Sequence, residues 1–199
     1  MALFAVSRSQ AQAPPQAVPK ELGYNAGSLA GVSASTTAVV AGFAQPAQGS
    51  AIGQRVGDRI QPMALYGHYT FAVADTTNVC RLTIFQWLPD STYDAPSSTG
   101  VDILDNAASF PWLSNFTVDP KKRRKFIVLY DKIHALSQQG PAVEKADFNI
   151  KSKQFAPVEF TQAASTTGTG QLYYMYSSDS VAVSHPTLTL YSNYKWRDL

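Results

Sequence analysis

A chain of 199 residues with a formal net charge of +2 is long enough for one β domain and an arm, and about 160 residues can bury roughly 70% of their unfolded surface. Its single cysteine, Cys80, excludes an internal disulfide, and no apolar run approaches membrane-spanning length, so no membrane partner is expected. A charge of +2 does not by itself demand a nucleic-acid partner, and the opening Met-Ala-Leu-Phe-Ala-Val is too short an apolar stretch to read as a secretory signal.

Residues 1–34 combine Pro14, Pro15 and Pro19 with Ala, Gln, Ser and Gly, and read as an extended arm ordered only against the domain or a neighbouring copy. The domain is expected over 35–199. Its first strand is predicted at 36–43, followed by a Gly/Gln/Pro-rich loop over 44–57. From 58 to 74 the odd positions Met63, Leu65, Tyr69, Phe71 and Val73 are apolar, the alternation of a strand with one face on a core. Asp75-Thr-Thr-Asn78 reads as a hairpin connection to a third strand, in which Cys80, Leu82 and Ile84 alternate with Arg81 and Thr83. Cys80 reads as a buried thiol, not a nucleophile.

A long excursion over 91–120 has Pro96, Gly100 and Pro111 as breakers and 101–104 and 110–112 as apolar anchors. The strand predicted at 123–133 has a continuously apolar centre, 126–130, which implies cover on both faces. Shorter strands are predicted at 148–155, 157–161 and 171–177, and the last at 186–196, where Leu188, Leu190, Tyr194 and Trp196 share one face. The fold class is therefore all-β: an eight-stranded antiparallel jelly-roll sandwich with an extended N-terminal arm.

Four segments carry a resemblance. Gly53-Gln-Arg-Val-Gly-Asp-Arg-Ile60 leads into a long strand, Arg81-Leu-Thr-Ile-Phe-Gln-Trp87 precedes an acidic turn, Arg124-Lys-Phe-Ile-Val-Leu-Tyr-Asp-Lys132 follows, and Tyr191-Ser-Asn-Tyr-Lys-Trp-Arg-Asp198 comes near the C-terminus. In this order and spacing they resemble the single-jelly-roll capsid proteins of satellite tobacco necrosis virus and of similar small circular single-stranded DNA (CRESS) viruses. The resemblance spans about residues 35–198 and implies a T=1 icosahedral shell of about sixty copies. It further implies packaged single-stranded nucleic acid bound independently of sequence, a virion location, a host receptor and an arm on the inner side. Members of this family commonly carry an arm dense in Arg and Lys; here residues 1–34 hold only Arg8 and Lys20, opposed by Glu21.

Lys121, Lys122, Arg123, Arg124 and Lys125 form the densest charge cluster in a chain with sixteen Lys and Arg. Three readings stand beside one another: a solvated strand entrance, a phosphate contact on the inner wall, joined by Lys151 and Lys153, or a nuclear-import signal suited to assembly in a host nucleus.

His68, His134 and His185 lie in different segments without ligand spacing and read as ordinary surface or interface residues, so no metal site is expected. Asp102 and Asp105 could join a Ca²⁺ site between subunits, as the family sometimes has, but read more simply as caps of a turn. No phosphate loop or nucleophile elbow is present, and Thr166-Thr-Gly-Thr-Gly170 is a flexible connection, so no cofactor and no enzymatic activity are expected. The alternative is a lectin-like carbohydrate-binding jelly roll, in which Trp87, Trp112 or Trp196 would stack on sugar. Tyr173, Tyr174 and Tyr176 lie on both faces of one strand and suit a core face plus a subunit contact.

Overall fold

The computed structural model describes residues 22–51, 53–89, 94–161, 166, 168–181 and 184–199. The first part of the expected arm, 1–21, lies outside them. Ten strands follow in order: β1 (Leu22–Ser33), β2 (Val39–Gly42), β3 (Arg59–Ala72), β4 (Thr77–Trp87), β5 (Phe126–Ser137), β6 (Val143–Lys151), β7 (Val158–Phe160), β8 (Gly168–Thr169), β9 (Leu172–Ser178) and β10 (Thr187–Asp198), with one short helix, α1 (Pro120–Arg123), before β5.

All pairings between these strands are antiparallel and make two sheets. One runs β1-β10-β3, with β6 and then β7 and β8 on the far side of β3; the other runs β2-β9-β4-β5. With the two short strands β7 and β8 set aside, the remaining eight are wired 1-8-3-6 and 2-7-4-5 by order of appearance. That is the jelly roll, and the expected class is the observed one.

The assignment of the eight differs from expectation at its start. The first strand of the roll is β1, inside the stretch read as arm, while the strand expected at 157–161 is the accessory β7. Its composition hid β1. Gly23 faces inward where a Cβ would stand 2.1 Å from the Trp196 ring, and Gly27 would meet Ser192 at 3.2 Å. Backbone pairing to β10 orders this strand, and the side chains that fill the space come from β10.

Between the sheets lies the main core, built from Ile60, Leu65, Tyr69 and Phe71 of β3, Cys80, Leu82 and Ile84 of β4, and Leu188, Leu190, Tyr194 and Trp196 of β10. A second, smaller core covers the opposite face of the four-stranded sheet. There Phe85, Trp87, Phe126 and Met175 pack under Ile103, Leu104 and Ala107 of the excursion. The second face of β9 is thus met by this chain's own excursion, which buries Met175 and leaves Tyr173 half-buried beside it.

Two local expectations change for one reason each, and a third is refined. The alternation in β3 breaks at Met63, where Lys195 pairs with Ala64 but Trp196 pairs with Pro62; the bulge turns Ile60 and Pro62 inward and leaves Met63 half-buried. The connection at 75–78 is not a hairpin, because β3 and β4 belong to opposite sheets and the link carries the chain across the core. The apolar centre of β5 meets a core on each face, as expected, but without regular alternation and with Ile127 left 39% exposed. A bulge between the pairs Ile84–Tyr130 and Phe85–Val128 sends Phe126 and Val128 to the small core and Leu129 and Tyr130 to the main one.

Candidate functional site

The five consecutive cations sit on a turn whose start is written in sequence. Asp119 caps α1 by accepting from the Lys121 backbone N–H at 2.9 Å, and Pro120 occupies the first helical position. Two of the five are engaged internally: Lys122 Nζ donates to the Val101 carbonyl at 2.9 Å, and Arg123 donates to the Phe126 carbonyl while its guanidinium stands 4.9 Å from that ring. Lys121 and Arg124 are exposed and Lys125 is half-buried. Among the described residues, no carboxylate reaches salt-bridge distance of any of the five.

Strand register brings the remaining candidates to the same end of the sandwich. Phe126 pairs with Trp87, and Lys151, the last residue of β6, pairs with Ala64. The short links 73–76 and 138–142 lie at the opposite end, so the start of β5 and the finish of β6 lie at the same end of the sandwich, on different sheets. Lys151 is exposed on the outer face of the six-stranded sheet; Lys153 is exposed one step beyond it, in a 3-10 turn at Ser152–Gln154, not on the strand. Cations without carboxylate partners gathered at one end of a fold attract polyanions.

The sequence reading missed a buried polar chain between the sheets. His134 on β5 faces the Tyr69 hydroxyl of β3 through Nε2 at 2.7 Å and the Glu144 carboxylate of β6 through Nδ1. Tyr69 also contacts the Tyr130 hydroxyl at 2.8 Å. Burial, and then the hydrogen bond to Tyr130, hold the Tyr69 phenol far above its usual range. His134 is 1% exposed, not a surface residue. The signal was its parity, shared with Tyr130 and Leu136, which marks the inner face of β5.

The other candidates resolve simply. Asp102 accepts from the Ser97 amide at 2.8 Å and Asp105 from the Val118 amide at 3.2 Å, both turn-capping bonds. Among the described residues, no three His, Cys, Asp or Glu side chains gather to hold a metal ion. Trp87, Trp112 and Trp196 are all buried, which removes them as a sugar platform. Burial pushes the Cys80 thiol up to about 12. No helix of the described residues is long and apolar enough to cross a membrane.

No protein-family model matches the chain, and no curated protein does. Among solved structures, a chain of Desmodium yellow mottle tymovirus is similar over 97% of this chain and 96% of its own length, with 10% identity and a TM-score of 0.43.

Proposed function

We propose that the chain is a shell subunit that assembles with identical copies into a closed icosahedral particle around nucleic acid. The observation that carries this reading is the pairing of a jelly roll, sealed on both faces of one sheet, with a band of cations that lack carboxylate partners at one end. Large apolar side chains also stand exposed on the flanks, among them Leu113, Val118 and Val181, as expected of surfaces that meet neighbours. Two concavities at the edge beside β1 and one in the excursion beside Lys122 hold about 200 to 250 Å³ each, less than a typical small-molecule site.

A shell of the T=1 type would contain about sixty subunits of 21.6 kDa, a particle of about 1.3 MDa. Size-exclusion chromatography with negative-stain microscopy tests this directly. A megadalton sphere is the expected result; a monomer or dimer that is retained on a neutral glycan array establishes the carbohydrate-binding alternative instead.

Within the shell, Lys121, Arg124 and Lys125, with Lys151 and Lys153, contact phosphate on the inner wall. Exchanging the five residues 121–125 for Gln lowers the nucleic acid protected inside purified particles. Unchanged content with lost nuclear accumulation assigns the run to import, and no change in either assigns it to a solvated turn.

A further inference from the structure

We propose that the outer face of the six-stranded sheet is a stacking platform for single-stranded nucleic acid, with Tyr191, Tyr24 and Tyr66 offering rings to bases and Lys195 and Lys151 holding phosphates. The assignment deepens the shell reading and rests on it for the cargo, since it names the wall against which the strand lies.

The placement follows from register. Residues directly opposite one another on antiparallel strands share a face, so the cross-strand partners define rows. One row reads Tyr24, Lys195, Ala64, Lys151 across β1, β10, β3 and β6; the next passes through Asn193 and Tyr66; the third joins Tyr191 to His68. Neighbouring strands are about 4.8 Å apart and same-face residues about 7 Å apart along a strand, so the three rows make a surface roughly 14 Å wide. These positions alternate with Leu188, Leu190, Tyr194 and Trp196, which fill the core.

Two of the three rings are presented to solvent, and Tyr66 is half-buried between them. Tyr24 is 60% exposed and Tyr191 48%, although a tyrosine of this sheet could have packed inward as Tyr69 and Tyr194 do. Two contacts hold the array in order. The rings of Tyr191 and His68 lie 5.3 Å apart at 33°, and Lys195 Nζ stands 5.4 Å from the centre of Tyr66. A cation beside an exposed ring matches a nucleotide, which offers a π-face and a phosphate within the same reach.

Charge decides among possible occupants. Lys145, Lys151 and Lys195 share the face with Asp147, which pairs in register with His68, and with Glu159, whose charge is answered by Arg59 at 3.2 Å, so the face keeps an excess of positive charge. A second copy laid face to face would set like charge on like charge. A neutral glycan would use the rings and leave the lysines idle. Single-stranded nucleic acid uses both, and binds rings without regard to base identity because every base has a stacking face.

The test uses the full chain and a fluorescent oligothymidine of about sixteen nucleotides, with inorganic polyphosphate as a ring-free polyanion. Tyr24→Leu with Tyr191→Leu is expected to weaken oligothymidine binding about tenfold or more and leave polyphosphate binding unchanged. Lys151→Gln with Lys195→Gln is expected to lower the dependence of log affinity on log salt by about 0.7 for each lysine. Equal losses for both ligands in the tyrosine variant, or oligothymidine binding equal to wild type, overturn the proposal, as does displacement by a neutral oligosaccharide. Circular dichroism and the thermal midpoint of each variant confirm that the fold is kept. Particle formation by the tyrosine variant with wild-type nucleic acid content rejects the platform alone. A wild-type chain that stays monomeric yet loses oligothymidine on Tyr→Leu exchange rejects the shell alone.

Discussion

Arg81 of β4 grips Asp131 of β5 through two parallel N–H···O bonds of 2.8 and 2.9 Å, on the face of the sheet that strand alternation assigns to solvent. Its remaining nitrogen donates to the Pro111 and Ser114 carbonyls, and its guanidinium lies 4.9 Å from the Phe116 ring. One residue thereby pins the excursion to the sheet.

Replacing Arg81 with Met is expected to lower stability by about 3 kcal/mol, because Asp131 and two carbonyls lose their donor under the excursion. Hydrogen exchange should quicken over 94–118 and stay slow in β10. A uniform rise in exchange across both would show that the pair supports the whole sandwich and not the excursion.

The chain from Glu144 through His134 and Tyr69 to Tyr130 ties β6, β5 and β3 together across the core. Glu144→Ala leaves a ring nitrogen of a nearly inaccessible histidine without its partner and is expected to cost about 1–3 kcal/mol. Tyr130→Phe removes only a terminal hydroxyl and should cost less than about 1 kcal/mol. Urea midpoints at constant slope give both values; equal losses would show that the order of the chain does not matter.

Cys80 supplies a pH dependence. Its folded value, about 12, lies above the roughly 8.5 of an unfolded thiol, so its contribution is whole below about pH 8.5 and is lost as pH rises toward 12, at up to ~1.4 kcal/mol per unit. The Tyr69 and Tyr194 phenols, also raised chiefly by burial, add to the loss from about pH 10 upward. Thermal midpoints measured between pH 9 and 10 should therefore fall in the wild type and fall less in Cys80→Ala. A thiol reagent should label Cys80 only in denaturant.

At Gly23 a methyl group would stand 2.1 Å from the Trp196 ring. Gly23→Ala is expected to push β1 from β10 and cost about 1–3 kcal/mol by overpacking. Exchange protection of 22–33 should drop first. Intact protection with an unchanged melting temperature would mean that the indole can move aside.

Legibility followed side-chain size and ladder continuity. Leu188, Leu190, Tyr194 and Trp196 announce β10 because no bulge interrupts their parity before the last turn of the strand. Met63 and Leu129 each mark a bulge that exchanges faces, and a period of two carries no sign of where an extra residue falls. β1 was silent because the first half of its inner face is Gly23, Asn25 and Gly27, so Trp196 of β10 provides the bulk that this half of the strand lacks. Of the candidate site, Lys121–Lys125 were visible as a run, and Asp119-Pro120 signalled the turn that presents them. The nearness of Lys195 to Tyr66 was not visible, since it depends on pairing between segments more than a hundred positions apart.

The excursion over one sheet gives the sandwich two unlike walls. On one side, the exposed Ala108 and Ser109 belong to irregular chain whose length is not set by the sheet ladders, so insertions and foreign peptides can be carried there without altering the wiring beneath. On the other, each position is locked opposite a partner strand, where a one-residue slip would turn the core outward. Variation among future variants, natural or engineered, should therefore accumulate lopsidedly, and the irregular wall is the place to graft a foreign loop.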